Sequence, residues 1–361
     1  MVMSSLEQVA EDAPAVRPEG SWQRAEQALR TFLAAVPRDA RHVLLCHSDA
    51  DGLAAGVLFY RALERAGRPD VRLLAAGKGE TAWSLSMLER VAPLRPAALF
   101  VLDLGSRSKP IFPGVPTLLI DHHTPLGVPP GGRLISSFEW HPASCSSVMA
   151  YWLGMTLAGI EDLAWIAAIG IIGDQGGHAT VRPLPQVREQ YGSHTLHEAR
   201  VLVSAARRSS SGDAAVALDA LLAAHEPADI AACRLPQARE LAEMRRAFDE
   251  ALCRVRGVAP AISGRVALIR VHSPYLVHPA LAQLWRSRLP ERIVLVANEG
   301  YLPGQVAFSL RTCLDVNLLD YIQAFRQSVN ATELGYGHDK ATGGMLPAAE
   351  FKRFLATLGF R

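Results

Sequence analysis

His47-Ser48-Asp49-Ala50-Asp51-Gly52 sets one imidazole and two carboxylates at alternate positions, directly after an apolar run and directly before a segment with helical spacing. Residues two apart in an extended segment share a face, so His47, Asp49 and Asp51 can converge on one point. Such a group suits a cation. On these residues alone the competing reading is that Asp51 caps the following helix while the others are solvated turn residues. Asp103 follows Phe100-Val101-Leu102, and a carboxylate there is costly unless it is paired, hydrogen-bonded or metal-bound. Asp121-His122-His123 follows Leu118-Leu119-Ile120, a second apolar run that ends in metal-competent groups. Ile171-Ile172 leads into Gly173-Asp174-Gln175-Gly176-Gly177, whose glycines admit close backbone approach to whatever Asp174 faces. Each segment has a structural reading by itself; together, all leaving apolar elements, they are hard to explain as separate accidents.

Bringing these groups to one edge requires a particular order of elements. Apolar runs at 42–47, 71–75, 98–103 and 117–121 read as buried strands, and Leu53–Ala66 and Trp83–Val91 have helical spacing. The alternation predicts an α/β fold with a mostly parallel sheet covered by helices on both faces, whose ligands sit beyond the carboxyl ends of the strands. His47, Asp103 and Asp121 fall at those ends. Further helices are expected over Trp22–Val36, 143–157 and 162–173. A second alternation runs through a strand at 265–271, a helix at 279–288, strands at 293–298 and 305–311, and a helix over Leu346–Leu358. The expected organisation is a mobile leader over 1–20, a first domain over 21–195, a helical connector over 196–257 and a smaller α/β domain over 258–361.

The 361 residues suffice for two domains with cores of their own. Apolar types at 49% and charged types at 20% exclude a disordered or low-complexity chain. With 37 Lys+Arg against 35 Asp+Glu, the charge of +2 excludes holding long nucleic acid by bulk charge, so phosphate binding must come from a local site. The five cysteines are scattered without a CxxC pair, which argues against a disulfide framework or zinc knuckle and for a reducing cytoplasm. No export signal or apolar run of about 18 residues is present, so no membrane partner is expected. Cys145 opens a helix, a position that can lower a thiol pKa, but no paired base accompanies it. Arg207-Arg208, followed by serines, read as a solvated linker in preference to a nucleic-acid contact.

HxDxDG at 47–52, strand-end Asp103, DHH at 121–123 and GDxGG at 173–177 together resemble the DHH phosphoesterase superfamily, of the RecJ-like and NrnA-like oligoribonuclease type. Gly335-Tyr336-Gly337-His338-Asp339-Lys340-Ala341-Thr342-Gly343-Gly344 resembles the glycine-rich signature of its DHHA1 partner domain, and the resemblance spans roughly residues 40–355. It implies two divalent ions, manganese or alternatively magnesium, with His47 and Asp49 on the first, Asp51, His122 and Asp174 on the second, and Asp103 bridging. Carboxylate-rich ligation with imidazole suits these metals better than thiolate-seeking ones. Ions about 3.5–4 Å apart share a hydroxide and neutralise phosphate oxygens during in-line attack. The resemblance further implies catalytic parts for Asp51, for a phosphate-facing His123, and for an Asp121 that orients its neighbours. Ser309 and Arg311, in a Ser-Leu-Arg element, would grip the substrate, the arginine by bidentate phosphate contacts. Gly337, His338, Gly343 and Gly344 would form a phosphate-facing loop. Tyr336 departs from the family pattern, which has glycine there.

These features imply a metal-dependent phosphodiesterase or exonuclease that hydrolyses short oligonucleotides to nucleoside monophosphates through a two-metal-activated hydroxide. Near-neutral charge and the lack of room between Gly177 and Arg361 for an extra oligonucleotide-binding domain favour short substrates. The alternatives are a RecJ-like single-strand DNA exonuclease, a hydrolase of cyclic dinucleotides or of 3′-phosphoadenosine-5′-phosphate, and a nucleotide-binding module on a decayed DHH fold. The expected partners are a short single-stranded oligonucleotide or nucleotide and, in a homodimer, a second copy of the chain.

Overall fold

The computed structural model describes residues 20–141, 143–325 and 336–360, with Tyr336–His338 as backbone only. The described residues divide into two compact units: one runs to Arg207 and takes up Asp213–Ala242, the other comprises Arg208–Gly212 and the chain from Glu243 onward.

The first unit is built on a five-stranded sheet of β1 (His42–Cys46), β2 (Val71–Ala75), β3 (Ala98–Leu102), β4 (Thr117–Asp121) and β5 (Arg133–Ser136), in the order β2-β1-β3-β4-β5. Every pairing is parallel. β1, β3 and β4 are buried along their whole lengths, as their unbroken apolar runs require when helices cover both faces. The unit's helices include α1 (Ser21–Ala34), α2 (Ala50–Arg65), α3 (Leu85–Val91), α4 (Ser146–Met155), α5 (Ala164–Asp174), α6 (Leu184–Tyr191), α7 (Ser193–Val203), α8 (Ala215–Ala223) and α9 (Pro227–Ala231). On one face Val43, Leu45, Leu99, Val101 and Leu119 pack with Met87 and Val91 of α3. On the other, the Phe100 ring lies 5.3 Å from Phe32 of α1 and 5.4 Å from Phe59 of α2.

Strand order reverses direction between β1 and β3, the crevice where open α/β sheets bind ligands. The small residues of α2 and α5 let these helices touch: a Cβ on Gly173 would meet the Ala50 Cβ at 2.7 Å. That close approach brings the last residue of α5, Asp174, to the start of α2. Gly176 and Gly177 have no atoms within 4 Å of a built Cβ, so among these glycines the expected close approach belongs to Gly173 alone.

The second unit contains a mixed six-stranded sheet, ordered β10-β11-β9-β8-β7-β6. Its strands are β6 (Ala261–Ser263), β7 (Val266–Val271), β8 (Ile293–Leu302), β9 (Gln305–Thr312), β10 (Tyr336–His338) and β11 (Ala341–Pro347); only β7 and β8 pair in parallel. One face buries Leu295, Phe308 and Leu310 against Phe351 and Phe354. The other packs Ile269, Val294 and Val296 against Phe248, Val277 and Leu281. The unit's helices are α10 (Pro236–Val255), inside which the division between units falls, α11 (Val277–Arg288), α12 (Leu318–Gln323) and α13 (Ala348–Thr357).

Several expected boundaries shift. The helix expected from Leu53 begins at Ala50, and that expected from Leu346 begins at Ala348, because the strand β11 continues to Pro347. Gly343 and Gly344 therefore lie in an antiparallel strand, with Gly343 opposite Ser309, rather than in a loop. Gly337 and His338 are on β10, opposite Thr342 and Ala341; the His338 side chain lies outside the described residues, as does the expected leader over 1–19. All five cysteines are free thiols. Among the described residues no helix is long and apolar enough to cross a membrane.

Candidate metal centre

The carboxyl ends of β1, β3 and β4 and the N-terminus of α2 form one edge, and the expected residues gather there. His47 follows β1 directly, its N–H donating to the Leu102 carbonyl at 3.1 Å. Asp49 is the N-cap of α2 and accepts from Gly52 N at 3.0 Å. Asp51 is not the cap: it lies in the first helical turn, so extended alternation does not bring it to the centre. The helical turn brings it there instead, and the N-terminus of α4 holds it, Ser146 N and Ser147 N donating to its two oxygens at 2.8 and 3.0 Å. Gly52 is required by the tight turn, because a Cβ there would sit 2.5 Å from His47 Cβ and 2.6 Å from its carbonyl oxygen.

Asp103 adopts φ 62°, the left-handed region, immediately after β3. Holding a non-glycine residue there costs of order 1–3 kcal/mol and persists where surroundings over-determine it. Here the surroundings are two imidazoles and a hydroxyl. Asp103 Oδ2 lies 3.5 Å from His47 Nδ1, while Oδ1 lies 3.3 Å from His122 Nε2 and accepts from Ser146 Oγ at 3.0 Å. His47 Nδ1 is also 2.9 Å from Asp49 Oδ2, and His122 Nε2 is 4.0 Å from Asp51 and 3.9 Å from Asp174. Asp121 stands one step back: its oxygens accept from Gly105 N at 2.6 Å and from His123 N at 2.7 Å. The same carboxylate holds His123 Nδ1 at 2.9 Å.

Burial makes these charges interdependent. It disfavours the charged form of His47, yet the Asp49 carboxylate raises the imidazole to about 9 against the opposing charge of Arg207. Burial likewise opposes His122, but hydrogen bonding to Asp103 and the charges of Asp103, Asp51 and Asp174 raise it to about 10. Asp103, against its own burial, is held well below the ordinary carboxylate range by hydrogen bonds with His122 and His47. Asp51 goes the other way: burial, then the charge of Asp103, pushes it up to about 7. His123 is raised, its burial outweighed by the Asp121 hydrogen bond and the nearby carboxylates. Cys145, where a helix start can lower a thiol, is instead raised well above its usual value by burial and by Asp51 and Asp174.

No protein-family model and no curated protein sequence matches the chain. Solved structures do match its fold. RecJ from Thermus thermophilus in complex with Mn2+ superposes with a TM-score of 0.68 at 19% identity, over 96% of this chain and 55% of that one. The chain thus spans about half the length of that relative. A manganese-bound exonuclease RecJ gives 0.65 at 18% identity, covering 92% of this chain and 93% of the other. A DHH domain from a member of a family of ribosomal proteins gives 0.63 at 14% identity, covering 95% and 92%. The chain shares the fold of these RecJ and DHH-domain structures.

Within this DHH fold the donor set suits divalent cations. Two triads, His47-Asp49-Asp103 and Asp103-His122-His123, each place their ligand atoms within 4.8 Å of one another, and Asp103 belongs to both. His47 Nδ1 is buried beside the Asp49 and Asp103 carboxylates, at 2.9 and 3.5 Å, without good hydrogen-bond alignment to either, and this nitrogen-and-oxygen donor set suits a divalent cation. His123, expected to face phosphate, occupies the second triad, whereas Asp51 and Asp174 approach it through His122.

Sequence reasoning missed two contributors. Arg207 is not a solvated linker residue: its guanidinium lies 3.4 Å from Asp49 Oδ2. Ser146 supplies both a backbone and a hydroxyl donor to the carboxylates. A serine at a helix start is the ordinary signal for a cap, and nothing in its spacing reports a contact with Asp103. In the second unit, Arg311 is half-buried, and its Nη1 donates to Ser309 Oγ at 2.8 Å and to the Leu310 and Thr342 carbonyls. Among the described residues no carboxylate pairs with it, and burial together with the charge of Arg286 lowers its pKa.

Proposed function

We propose that this chain is a divalent-metal-dependent phosphodiesterase that hydrolyses short oligonucleotides to nucleoside monophosphates, using manganese or magnesium. The observation that carries this reading is Asp103, strained into the left-handed region with opposite oxygens turned to two different imidazoles. That is the arrangement a carboxylate shared by two cations needs. His47 and Asp49 would hold one cation with Asp103; His122, Asp51 and Asp174 would hold the other. When bound, the pair supplies a lowered pKa for water and positive charge against the phosphate oxygens.

The chain's own groups do the rest. Asp121 fixes the His123 ring through Nδ1, which leaves Nε2 to hydrogen-bond a phosphate oxygen or pass a proton to the departing ribose oxygen. Arg207 neutralises Asp49, and Arg311, lacking an acidic partner among the described residues, is suited to a substrate phosphate. The near-neutral net charge of +2 favours short substrates over long strands that need an extended basic track. Five free thiols accord with a cytoplasmic setting.

The test is hydrolysis by the manganese-loaded protein of a dinucleotide and of a long single strand, with Asp103→Asn as control because asparagine tolerates positive φ. Release of monophosphates from the dinucleotide, abolished in the variant, is expected. Processive digestion of the long strand with the dinucleotide ignored would overturn the substrate assignment, and undiminished activity in Asp103→Asn would overturn the shared-carboxylate role.

A further inference from the structure

Two arginines of the second unit, Arg286 and Arg311, come to the same end of β9. Arg311 lies opposite Val294 of β8 and Ala341 of β11, and cross-strand partners share a face of the sheet. Val294 packs with Val277 and Leu281 of α11, so Arg311 is on the face that α11 covers. Arg286 is in the last turn of α11, which packs along β8 and β9. Its Nε donates to Cys313 Sγ at 3.2 Å, and Cys313 Sγ donates to the Arg286 carbonyl at 3.8 Å. Cys313 is two residues beyond Arg311. The β11 residues opposite Ser309 and Arg311 are Gly343 and Ala341, so that strand sets no long side chain over the guanidinium.

Both guanidiniums are tethered at one nitrogen and open at the others. Arg311 uses Nη1, which donates to Ser309 Oγ at 2.8 Å and to the Leu310 and Thr342 carbonyls. Arg286 uses Nε. The remaining nitrogens of the two make no hydrogen bond or ion pair among the described residues, although a guanidinium carries only donors. Other arginines of this unit have acids, Arg270 pairing with Glu299 at 2.7 Å and Arg353 with Glu350. Here burial and then the charge of Arg286 lower the Arg311 pKa, the mark of like charges that no carboxylate separates. An anion with several oxygens relieves that repulsion and takes up the open N–H groups, and a phosphoryl group does both.

We propose that Arg286 is a second phosphate-binding arginine, which closes with Arg311 on one phosphoryl group of the substrate. The inference rests on the reading of Arg311 given above and adds a residue from a different element. Each tether fixes its fork before the ligand arrives, so little side-chain freedom is lost on binding.

The experiment uses the full chain with manganese in the buffer and titrates adenosine 5′-monophosphate, with adenosine as the phosphate-free comparison, into the parent, Arg286→Gln, Arg286→Lys, Arg311→Gln and Arg288→Gln. The last removes an equal charge two residues along α11, where the guanidinium stacks over Trp285. Arg286→Gln is expected to weaken the monophosphate roughly 10- to 150-fold, as is Arg311→Gln; lysine should restore part of the loss, and Arg288→Gln should bind as the parent does. Adenosine should bind all five proteins alike. In a second readout the monophosphate should shield the exposed Cys313 thiol from alkylation in the parent and not in Arg286→Gln, followed by mass spectrometry of the cysteine peptides. Parental affinity in a folded Arg286→Gln protein, equal losses in Arg286→Gln and Arg288→Gln, or a thiol alkylated at the same rate with and without the monophosphate would each overturn the assignment. Phosphate-dependent binding through Arg286 in a protein that cleaves no dinucleotide would defeat the hydrolase reading and leave the arginine pair standing.

Discussion

Ser146→Ala offers the sharpest test of how the centre is held together. Ser146 is fully buried, and its hydroxyl donates to Asp103 Oδ1 at 3.0 Å, while its backbone N–H donates separately to Asp51. The substitution deletes the first bond and leaves the second, along with α4, in place. A hydrogen bond to a charged group contributes about 1.5–3 kcal/mol, and at about 1.36 kcal/mol per decade that converts to roughly 10- to 150-fold. Outer-shell partners of metal ligands typically cost about 10–100-fold when removed, so the two estimates agree. The Mn2+ dissociation constant, measured by calorimetry, should therefore rise roughly 10- to 100-fold, with the metal concentration for half-maximal hydrolysis rising in step. Circular dichroism would establish that the fold is kept. A folded Ser146→Ala protein with parental Mn2+ affinity would refute the reasoning, because Asp103 would then need no orienting donor.

Gly52→Ala inserts a Cβ 2.5 Å from His47 Cβ and 2.6 Å from backbone oxygen that cannot move aside; a loss of about 1–3 kcal/mol in denaturant unfolding is expected together with weaker Mn2+ binding, and parental stability would show that the turn relaxes freely. His42 is buried at the opposite end of β1, where burial and then the Arg68 guanidinium hold its imidazole below the ordinary value. It folds neutral and charges on unfolding, so its contribution is present above its unfolded pKa of about 6.5 and is lost as pH falls through the lowered folded value. Urea midpoints at pH 5 and 7.5 should fall more on acidification for the parent than for His42→Asn, and equal falls would refute the assignment.

How much of the structure is legible in the sequence follows from which forces act locally. β1, β3 and β4 carry unbroken apolar runs that only a doubly covered sheet explains, so they and the carboxylates closing them can be read directly. β5, with Arg133 exposed and only Ile135 buried, is a sheet edge whose pattern carries little signal. β10 and β11 are rich in glycine, which weakens strand propensity, and their pairing with β9 is set by tertiary contact. The start of α2 escapes the pattern because apolar periodicity begins at Leu53, whereas the cap that sets the boundary is Asp49. Arg207 reaches Asp49 across a separation of 158 residues, a contact that no local pattern records.

The charge balance of the centre explains why these donors come from so many elements. Four carboxylates meet at this edge, Asp51 and Asp103 buried and Asp49 and Asp174 partly exposed, and the repulsion between the buried pair is weakly screened. The fold offsets part of this with imidazolium protons on His47 and His122, part with Arg207, and part with N–H groups at the starts of α2 and α4, the positive ends of helix dipoles. Asp51 marks where those resources run out. It has no imidazole nearer than 4.0 Å, and two backbone donors do not prevent burial and Asp103 from raising it to about 7. A cluster built only for stability would have replaced that carboxylate with an amide or an apolar side chain, since uncompensated buried charge is costly. Keeping it makes physical sense for a centre completed by cations, whose charge takes over from the protons on the two histidines and removes the penalty at Asp51.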